Sequence, residues 1–185
     1  FHNPAAPIKS LEESDSVPRE PFTPAEVGNL ITTSTSNDWK GVILLGAFTG
    51  LRLTDATRLT AGNLDMKRKV INLTPRKTER KGTTVEIPLH PDLVDFFNGH
   101  HIPPFGKSPL FPSLTSLESG GRGGLSDQFK EIMKAAKVDR GIARIKGEGV
   151  ARTTAARSFH SLRHTFTSWL AKADVPEEVR MKMTG

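Results

Sequence analysis

The sequence predicts an α+β fold that is mainly α-helical and carries a small antiparallel sheet of two to three strands. The helical part follows from apolar residues that recur at helical spacing in segments bounded by capping residues, glycine or proline. The sheet follows from two β-prone runs, Lys69–Thr74 and Thr83–Pro88, which a basic turn connects. With 185 residues the chain is long enough for one sizeable core.

Structure is expected to begin after an N-terminal stretch that has no periodicity. Residues 1–20 are rich in proline, serine and acidic residues, which is typical of a linker or arm between domains. Thr23, Pro24 and Glu26 then form the pattern of a capping box with proline at the first helical position. This pattern predicts a helix that continues to about Ile31.

The rest of the chain is predicted to alternate helices, a hairpin and loops. A second helix is expected to begin at Asn37 or Asp38 and to end at Gly50, since glycine adopts the left-handed conformation that commonly ends a helix. The further predicted elements are a short helix through Leu59, a candidate third strand at Asn63–Asp65, a helix over Pro91–Phe97, a loop over Ile102–Gly124, a helix capped by Ser126 and running through Lys137, an irregular basic stretch over Val138–Arg157, and a last helix over Pro176–Met183.

One further predicted helix carries basic residues at its start. Ser161 is the expected N-cap, which places Arg163 in the first turn and His160 just outside the helix. Unpaired backbone N–H groups and the positive end of the helix dipole favour a bound anion at such a position. A basic side chain there needs a negative partner, and we expect that partner to be a phosphate.

Composition excludes several classes of protein. The chain is 36% hydrophobic and 25% charged, with a mean hydropathy of −0.36, as in an ordinary globular protein. No apolar run approaches the roughly 18 residues that span a bilayer, so no membrane partner is expected. The absence of cysteine excludes a disulfide framework and a thiolate metal site, and it fits a reducing compartment.

Positive charge is concentrated in the second part of the chain. Residues 1–120 carry 13 Lys and Arg against 13 Asp and Glu, whereas residues 121–185 carry 13 against 7 and therefore hold the entire net charge of +6. A basic segment of this kind is typical of nucleic-acid binding. A surface that only keeps the protein soluble explains the charge equally well.

Three separated motifs stand out along the chain: Thr49–Asp55 with Arg52, Lys77 in the hairpin, and His160–Thr165 with Arg163. Together they resemble the catalytic domain of the tyrosine recombinases, the phage-integrase type of site-specific DNA recombinase. They stand in the family's order, and the resemblance covers the chain from about residue 21 to residue 185. It implies a catalytic domain with the recombinase fold over residues 21–185.

The resemblance also implies roles for these residues. Arg52 and Arg163 would bind the phosphate oxygens, Lys77 would protonate the leaving 5′-oxygen, and His160 would be an acid, base or orienting group. Asp55 and His164 would support the site without touching DNA. The alternatives are a structural arginine at 52 and a solvated turn lysine at 77, with Lys81 as a rival for the lysine role.

Double-stranded DNA is the expected partner, together with other recombinase subunits assembled on it. No cofactor and no metal are expected, because the arginines supply the positive charge; the His160 and His164 pair lacks an obvious third zinc ligand. A cytoplasmic, nucleoid-associated location follows from DNA as the substrate. The residues expected to contact DNA are Arg76, Lys81, Arg140, Arg144, Lys146, Arg152 and Arg157.

The sequence departs from the family pattern in one respect. The family's last active-site histidine or tryptophan and its nucleophilic tyrosine are missing, since the chain ends at Gly185 and contains no tyrosine. We therefore expect a catalytic domain that is incomplete at its C-terminus and does not cleave DNA by itself. Two alternatives stay open, a degenerate relative that only binds DNA and a type IB topoisomerase.

Overall fold

The protein consists of helices, a three-stranded antiparallel sheet and a second, two-stranded sheet. The computed structural model describes residues 19–76, 82, 84–144 and 153–184, and for 142–144, 153 and 154 the backbone alone. The mainly helical α+β architecture predicted from the sequence is confirmed. The helices are α1 Pro24–Thr33, α2 Asn37–Thr49, α3 Leu53–Thr57, α4 Pro91–Gly99, α5 Pro112–Thr115, α6 Leu125–Ala135, α7 His160–Lys172 and α8 Glu177–Thr184.

The predicted hairpin and its third strand are both present. Strands β1 (Leu64–Asp65), β2 (Val70–Leu73) and β3 (Val85–Pro88) lie in the order β1-β2-β3, and all pairs are antiparallel. Ile71 and Ile87 pair across β2 and β3 and are both completely buried. This alternation of buried and exposed residues fixes the register of the hairpin, because a slip by one residue would expose the apolar side chains.

The second sheet was not predicted. Strands β4 (Ile142–Arg144) and β5 (Thr153–Ala155) form an antiparallel pair inside a stretch that we expected to be irregular. Each strand has only three residues, which is too short for an alternating pattern to be visible in the sequence. Backbone hydrogen bonds pair the two strands with each other. The chain that connects them, residues 145–152, lies outside the described residues.

Local signals set the bounds of α1 and α2 as predicted. The Thr23 hydroxyl accepts from the Glu26 N–H while the Glu26 carboxylate accepts from the Thr23 N–H, so the capping box at α1 is confirmed. Helix α2 ends at Gly50, which has φ 67° and ψ 18°. The direction in which the chain leaves α2 therefore depends on a glycine, and Arg52 follows two residues later.

Helix α7 packs directly against α2 because a glycine lies between them. A Cβ atom at Gly46 would lie 2.8 Å from side-chain atoms of both Leu162 and Phe159, which are themselves buried. Only hydrogen at this position lets the two backbones approach so closely. The start of α7 is consequently held beside the C-terminal end of α2.

Two predicted caps were wrong. Ser161 is completely buried inside α7, and its hydroxyl accepts from the Ser158 N–H at 3.2 Å; the helix begins one residue earlier, at His160. Helix α6 follows Gly124 as N-cap, with Ser126 inside the helix. In both cases a serine near the start of a helix was taken for the cap, whereas burial of the adjacent apolar side chain, Leu162 or Leu125, sets the actual start.

The segment before α1 is bound along β5 and α7. The Arg19 guanidinium donates to the Ala155 carbonyl at 2.8 Å, and the Phe22 N–H donates to the completely buried Thr165 hydroxyl at 2.7 Å. These contacts hold Arg19 on the side of the molecule where α7 begins. The predicted boundary at residue 20 stays a prediction, since residues 1–18 lie outside the described part.

None of the helices in the described part of the chain is both long enough and apolar enough to cross a membrane.

Candidate active site

Arg163 joins the end of α2, the start of α7 and the end of α8. Its Nη1 donates to the Gly50 carbonyl at 3.0 Å, and its Nη2 donates to the Thr184 carbonyl at 2.5 Å. The side chain is half-buried. Because the left-handed Gly50 turns its carbonyl away from the helical pattern of α2, this acceptor is available to a side chain from another helix. Arg163 therefore has a fixed position.

Arg52 stands at the N-cap position of α3, with a side chain that is 24% exposed. Its Nη1 lies 3.9 Å from Oδ2 of Asp55, whose side chain is only 6% exposed. The other carboxylate oxygen, Oδ1, accepts from the Arg76 N–H at 3.3 Å. Asp55 thus connects Arg52 to the point where the chain enters the turn of the hairpin, and the next residue is Lys77.

Arg52 and Arg163 are electrostatic neighbours. Burial and the positive charge of Arg52 lower the pKa of Arg163 from its ordinary value, and Asp55 opposes that effect. Arginine stays protonated in proteins, so the two guanidiniums repel each other without losing charge. An anion bound between them relieves this repulsion and accepts charge-assisted hydrogen bonds from both.

Two histidine rings lie beside this pair. His160 and His164, one turn apart on α7, have ring centroids 5.1 Å apart at an interplanar angle of 78°. Burial and nearby positive groups, among them Arg163 and Arg19, lower the pKa of both from 6.5. Both rings are therefore neutral at pH 7, and a neutral imidazole can accept a proton.

Helix α6 was not expected at the site, but it contributes to it. A cavity of about 280 Å³ is lined by Arg52 and His160 and also by Lys130 of α6 and by Arg140. Lys130 was missed because its only sequence signal is an acidic residue three positions earlier, which is a common helix-surface pattern. Among the described residues, no group of three His, Asp or Glu is arranged to hold a metal ion.

The residues predicted to contact DNA fall into different surroundings. Arg76 is exposed and lines a second cavity, of about 400 Å³, together with Arg58 and Asp55. Nothing can be placed for the remaining candidates in the hairpin turn and the β4–β5 connection. Lys77, Lys81, Lys146 and Arg152 lie outside the described residues, and Arg144 is described by its backbone alone.

Arg157 has a structural environment. Its Nε lies 3.1 Å from Glu20 and its Nη1 lies 2.7 Å from Glu26, with the guanidinium 5.9 Å from the centre of the Phe22 ring. These contacts join the segment before α7 to the segment before α1. DNA contact by Arg157 stays a prediction, and its two carboxylate partners compete with phosphate for the guanidinium.

The chain was compared with protein families, curated proteins and solved structures. A sequence model described as the Phage integrase family matches residues 22–185. No curated protein matches the chain significantly. The integrase from mycobacterium phage Brujita has a similar structure, with a TM-score of 0.63 and 24% identity over 99% of this chain and 54% of that one.

Two further solved structures are similar. The catalytic domain of bacteriophage HP1 integrase has a TM-score of 0.60 and 18% identity over 90% of this chain and 80% of that one. The Tn1549 transposon integrase, in complex with a circular intermediate DNA, has a TM-score of 0.60 and 18% identity, covering 94% and 60%. The chain spans about half the length of the Brujita integrase. At these identities the likeness shows a shared fold, which confirms the fold expected from the three motifs.

Proposed function

Because the chain belongs to the phage integrase family, we propose that it contains the phosphate-binding part of a site-specific recombinase that breaks and rejoins DNA. The observation that carries this proposal is the meeting of Arg52, Arg163 and His160 where α2 ends and α7 begins. Two permanently charged guanidiniums beside a neutral imidazole suit a phosphodiester that undergoes nucleophilic attack.

In the proposed reaction a tyrosine attacks a DNA phosphodiester, which forms a 3′-phosphotyrosine and releases a 5′-hydroxyl. Negative charge on the non-bridging oxygens must be stabilised through the transition state. Arg52 and Arg163 bind these oxygens, since guanidinium offers paired donors and keeps its charge. Loss of either arginine raises the barrier by about 2.7–4 kcal/mol, as for other preorganised donors.

The other residues assist. His160, neutral before DNA binds, orients the nucleophile or takes its proton. Lys77 donates a proton to the leaving 5′-oxygen, a role that rests on the family resemblance because this residue lies outside the described part of the chain. Asp55 orients Arg52 from the interior, and its connection to the Arg76 backbone relates that orientation to the hairpin.

The chain contains no tyrosine, so this polypeptide binds the phosphate but does not form the covalent intermediate. We propose that the nucleophile belongs to the same gene product and lies beyond residue 185. The second candidate function is a DNA-binding module without catalysis. The coding sequence downstream of the Gly185 codon distinguishes the two candidate functions. A Gly-His step followed by a tyrosine supports the enzyme, and a stop codon supports the DNA-binding module.

Duplex DNA is the proposed partner, and further recombinase subunits on the same DNA are a second one. The structurally similar Tn1549 integrase and XerH recombinase are both described in complexes with DNA. The proposed place of action is the nucleoid. No step of the proposed mechanism requires a metal ion or a cofactor.

The test of phosphate binding is Arg52→Ala in a salt series of duplex DNA binding. Affinity of the unchanged chain is expected to fall with salt, with a log–log slope of about −0.9 for each phosphate neutralised. Arg52→Ala removes one such contact, so both the affinity and the steepness of the slope should decrease. Fluorescence anisotropy of a labelled duplex measures both quantities.

Arg68→Ala is the matched control. Arg68 is an exposed arginine whose guanidinium pairs with Glu86 at 2.9 Å, and it lines neither cavity at the candidate site. Its removal lowers the net charge by the same amount. If Arg68→Ala weakens binding as much as Arg52→Ala, the charge acts only as a general attraction and the proposed site is wrong.

DNA affinity is expected to rise as the pH is lowered from about 8 to about 6. The pKa values of His160 and His164 lie below 6.5, first because of burial and then because of the nearby Arg19 and Arg163, so both rings are neutral in the free protein over most of this range. A bound phosphate raises both pKa values, and binding then takes up protons. Affinity measured in buffers of constant ionic strength should increase up to about tenfold per pH unit for each proton taken up.

His160→Gln identifies the responsible ring. Glutamine keeps a polar side chain of similar size but does not titrate, so the pH dependence should become shallower while affinity at pH 8 changes little. An affinity that does not depend on pH in the unchanged chain would show that no phosphate lies close to these rings.

A further inference from the structure

The 280 Å³ cavity beside the candidate site has cationic residues on several of its elements. Arg52 lines it from the start of α3, Lys130 lines it from α6, and Arg140 lines it from the segment that follows α6. The same cavity has an apolar wall to which Phe129 of α6 contributes. No carboxylate is among the residues that line it, so its charge is entirely positive.

Two nearby carboxylates pair with two of these cations. Asp55 lies 3.9 Å from Arg52, and Asp127 accepts from Lys130 at 2.5 Å. The hydrogen bond from Lys130, with a second from the Gly123 N–H, lowers the pKa of Asp127 from its ordinary value, so this carboxylate stays ionised and holds the Lys130 ammonium in place. The third cation, Arg140, is close enough to Asp127 for its positive charge to contribute to the lowered pKa of that carboxyl.

Arg140 has a buried donor without an acceptor. Its Nε is inaccessible to solvent and makes no hydrogen bond within the described part of the chain. Its side chain forms no ion pair there either. Buried N–H groups in native proteins nearly always have a partner, and an orphaned one beside a cavity indicates that a ligand or ordered water accepts from it. Together with the surrounding positive charge, this donor favours an anionic acceptor over a water molecule.

The position of Arg52 relates this anion to the first one. Arg52 is an electrostatic neighbour of Arg163, and it also lines the cavity. Arg52 is therefore shared between the first phosphate position and the cavity. Consecutive phosphates of one DNA strand are close neighbours, about 3.4 Å apart along the helix axis, so a strand bound at the first position brings its next phosphate near a site that shares Arg52.

We propose that the cavity binds the DNA phosphate adjacent to the one held by Arg52 and Arg163 on the same strand, with Arg140 and Lys130 as its ligands. This inference rests on the proposed function and extends it. A phosphate anchored there fixes the strand on one side of the reacting phosphate. The orientation of the reacting phosphodiester bond then depends on two bound phosphates of the DNA strand.

The first test uses the unchanged chain, so that it does not depend on a variant that folds. The Nε–H group of Arg140 gives its own signal in a proton–nitrogen NMR spectrum, and assignment by Arg140→Lys identifies it. Titration with a short duplex is expected to shift this signal downfield in a saturable way, since a charge-assisted hydrogen bond to phosphate replaces an orphaned donor. A signal that stays in place at saturating DNA overturns the proposal.

The second test compares two lysines of α6. Lys130→Gln is expected to weaken duplex binding about tenfold and to reduce the salt slope by about 0.9, and Arg140→Gln should do the same. Lys134→Gln is the matched control, because Lys134 lies on the same helix, is exposed, and does not line the cavity. Equal effects of Lys130→Gln and Lys134→Gln overturn the proposal.

Failure of this inference can be told apart from failure of the proposed function. If Arg52→Ala weakens binding while Lys130→Gln and Arg140→Gln do not, the first phosphate position holds and the second is wrong. If Arg140→Gln weakens binding while Arg52→Ala does not, the cavity binds an anion that is unrelated to a recombinase site, and the inference as stated is wrong. If Arg52→Ala, Lys130→Gln and Arg140→Gln all weaken DNA binding and Lys134→Gln does not, the proposed function and this inference are both supported.

Discussion

Replacement of Arg163 by alanine is expected to lower both the free energy of unfolding and the affinity for DNA. The guanidinium holds the carbonyl of Gly50 at 3.0 Å and that of Thr184 at 2.5 Å, so its removal breaks this link between α2 and α8 and leaves one buried and one half-buried acceptor without their donor. Hydrogen bonds from a charged donor contribute about 1.5–3 kcal/mol each, and we expect a total loss of about 3–6 kcal/mol. Urea unfolding measures this loss.

The effect on DNA binding is expected to be more than about tenfold, because one of the two proposed phosphate ligands is removed. Arg163→Lys is the matched variant. Lysine keeps the positive charge but cannot hold two carbonyls and a phosphate with one planar group. It should therefore recover part of the affinity and little of the stability. Full stability in Arg163→Ala would show that the two carbonyl contacts are not maintained in solution.

The comparison of Arg163 with Ser161 shows what the sequence could and could not predict. The residues of the candidate site were found from their order along the chain, since Arg52, His160 and Arg163 match a family pattern. The N-cap of α7 was placed two residues too late, at Ser161 instead of Phe159, because capping preference was weighed without knowing that Leu162 and Phe159 pack against Gly46. Tertiary packing decided the helix start, and no local signal reports it.

The same difference between local signals and tertiary packing explains which parts of the fold could be predicted from the sequence. The capping box at Thr23 and the glycine that ends α2 depend on neighbouring residues only, and both were predicted. The β4–β5 pair depends on contacts between separated segments, and it was missed. Lys130 and Arg140 were not recognised as neighbours of Arg52 for the same reason, since nothing in the sequence places α6 beside the start of α3.

Gly50→Ala is expected to be the second change with a large effect. Gly50 has φ 67°, which costs alanine about 1–2 kcal/mol. A Cβ atom there would also lie 2.7 Å from Cδ1 of Phe166, whose side chain is buried in α7. Overpacking of this kind costs about 1–3 kcal/mol, so the free energy of unfolding should fall by about 2–5 kcal/mol in total. Urea unfolding at constant temperature measures the change.

Gly82→Ala separates the two causes. Gly82 has a similar φ of 61°, but among the described residues no atom lies within 4 Å of the position that its Cβ would occupy. Alanine there should therefore cost only the backbone strain, about 1–2 kcal/mol. The difference between the two variants measures the contact with Phe166. If both variants lose the same stability, α7 can move away from residue 50 at no cost in free energy. In that case the packing of α2 against α7 does not hold Arg163, whose acceptor is the Gly50 carbonyl. If Gly50→Ala loses more and DNA affinity falls with it, the close packing of these helices is what positions the arginine for phosphate.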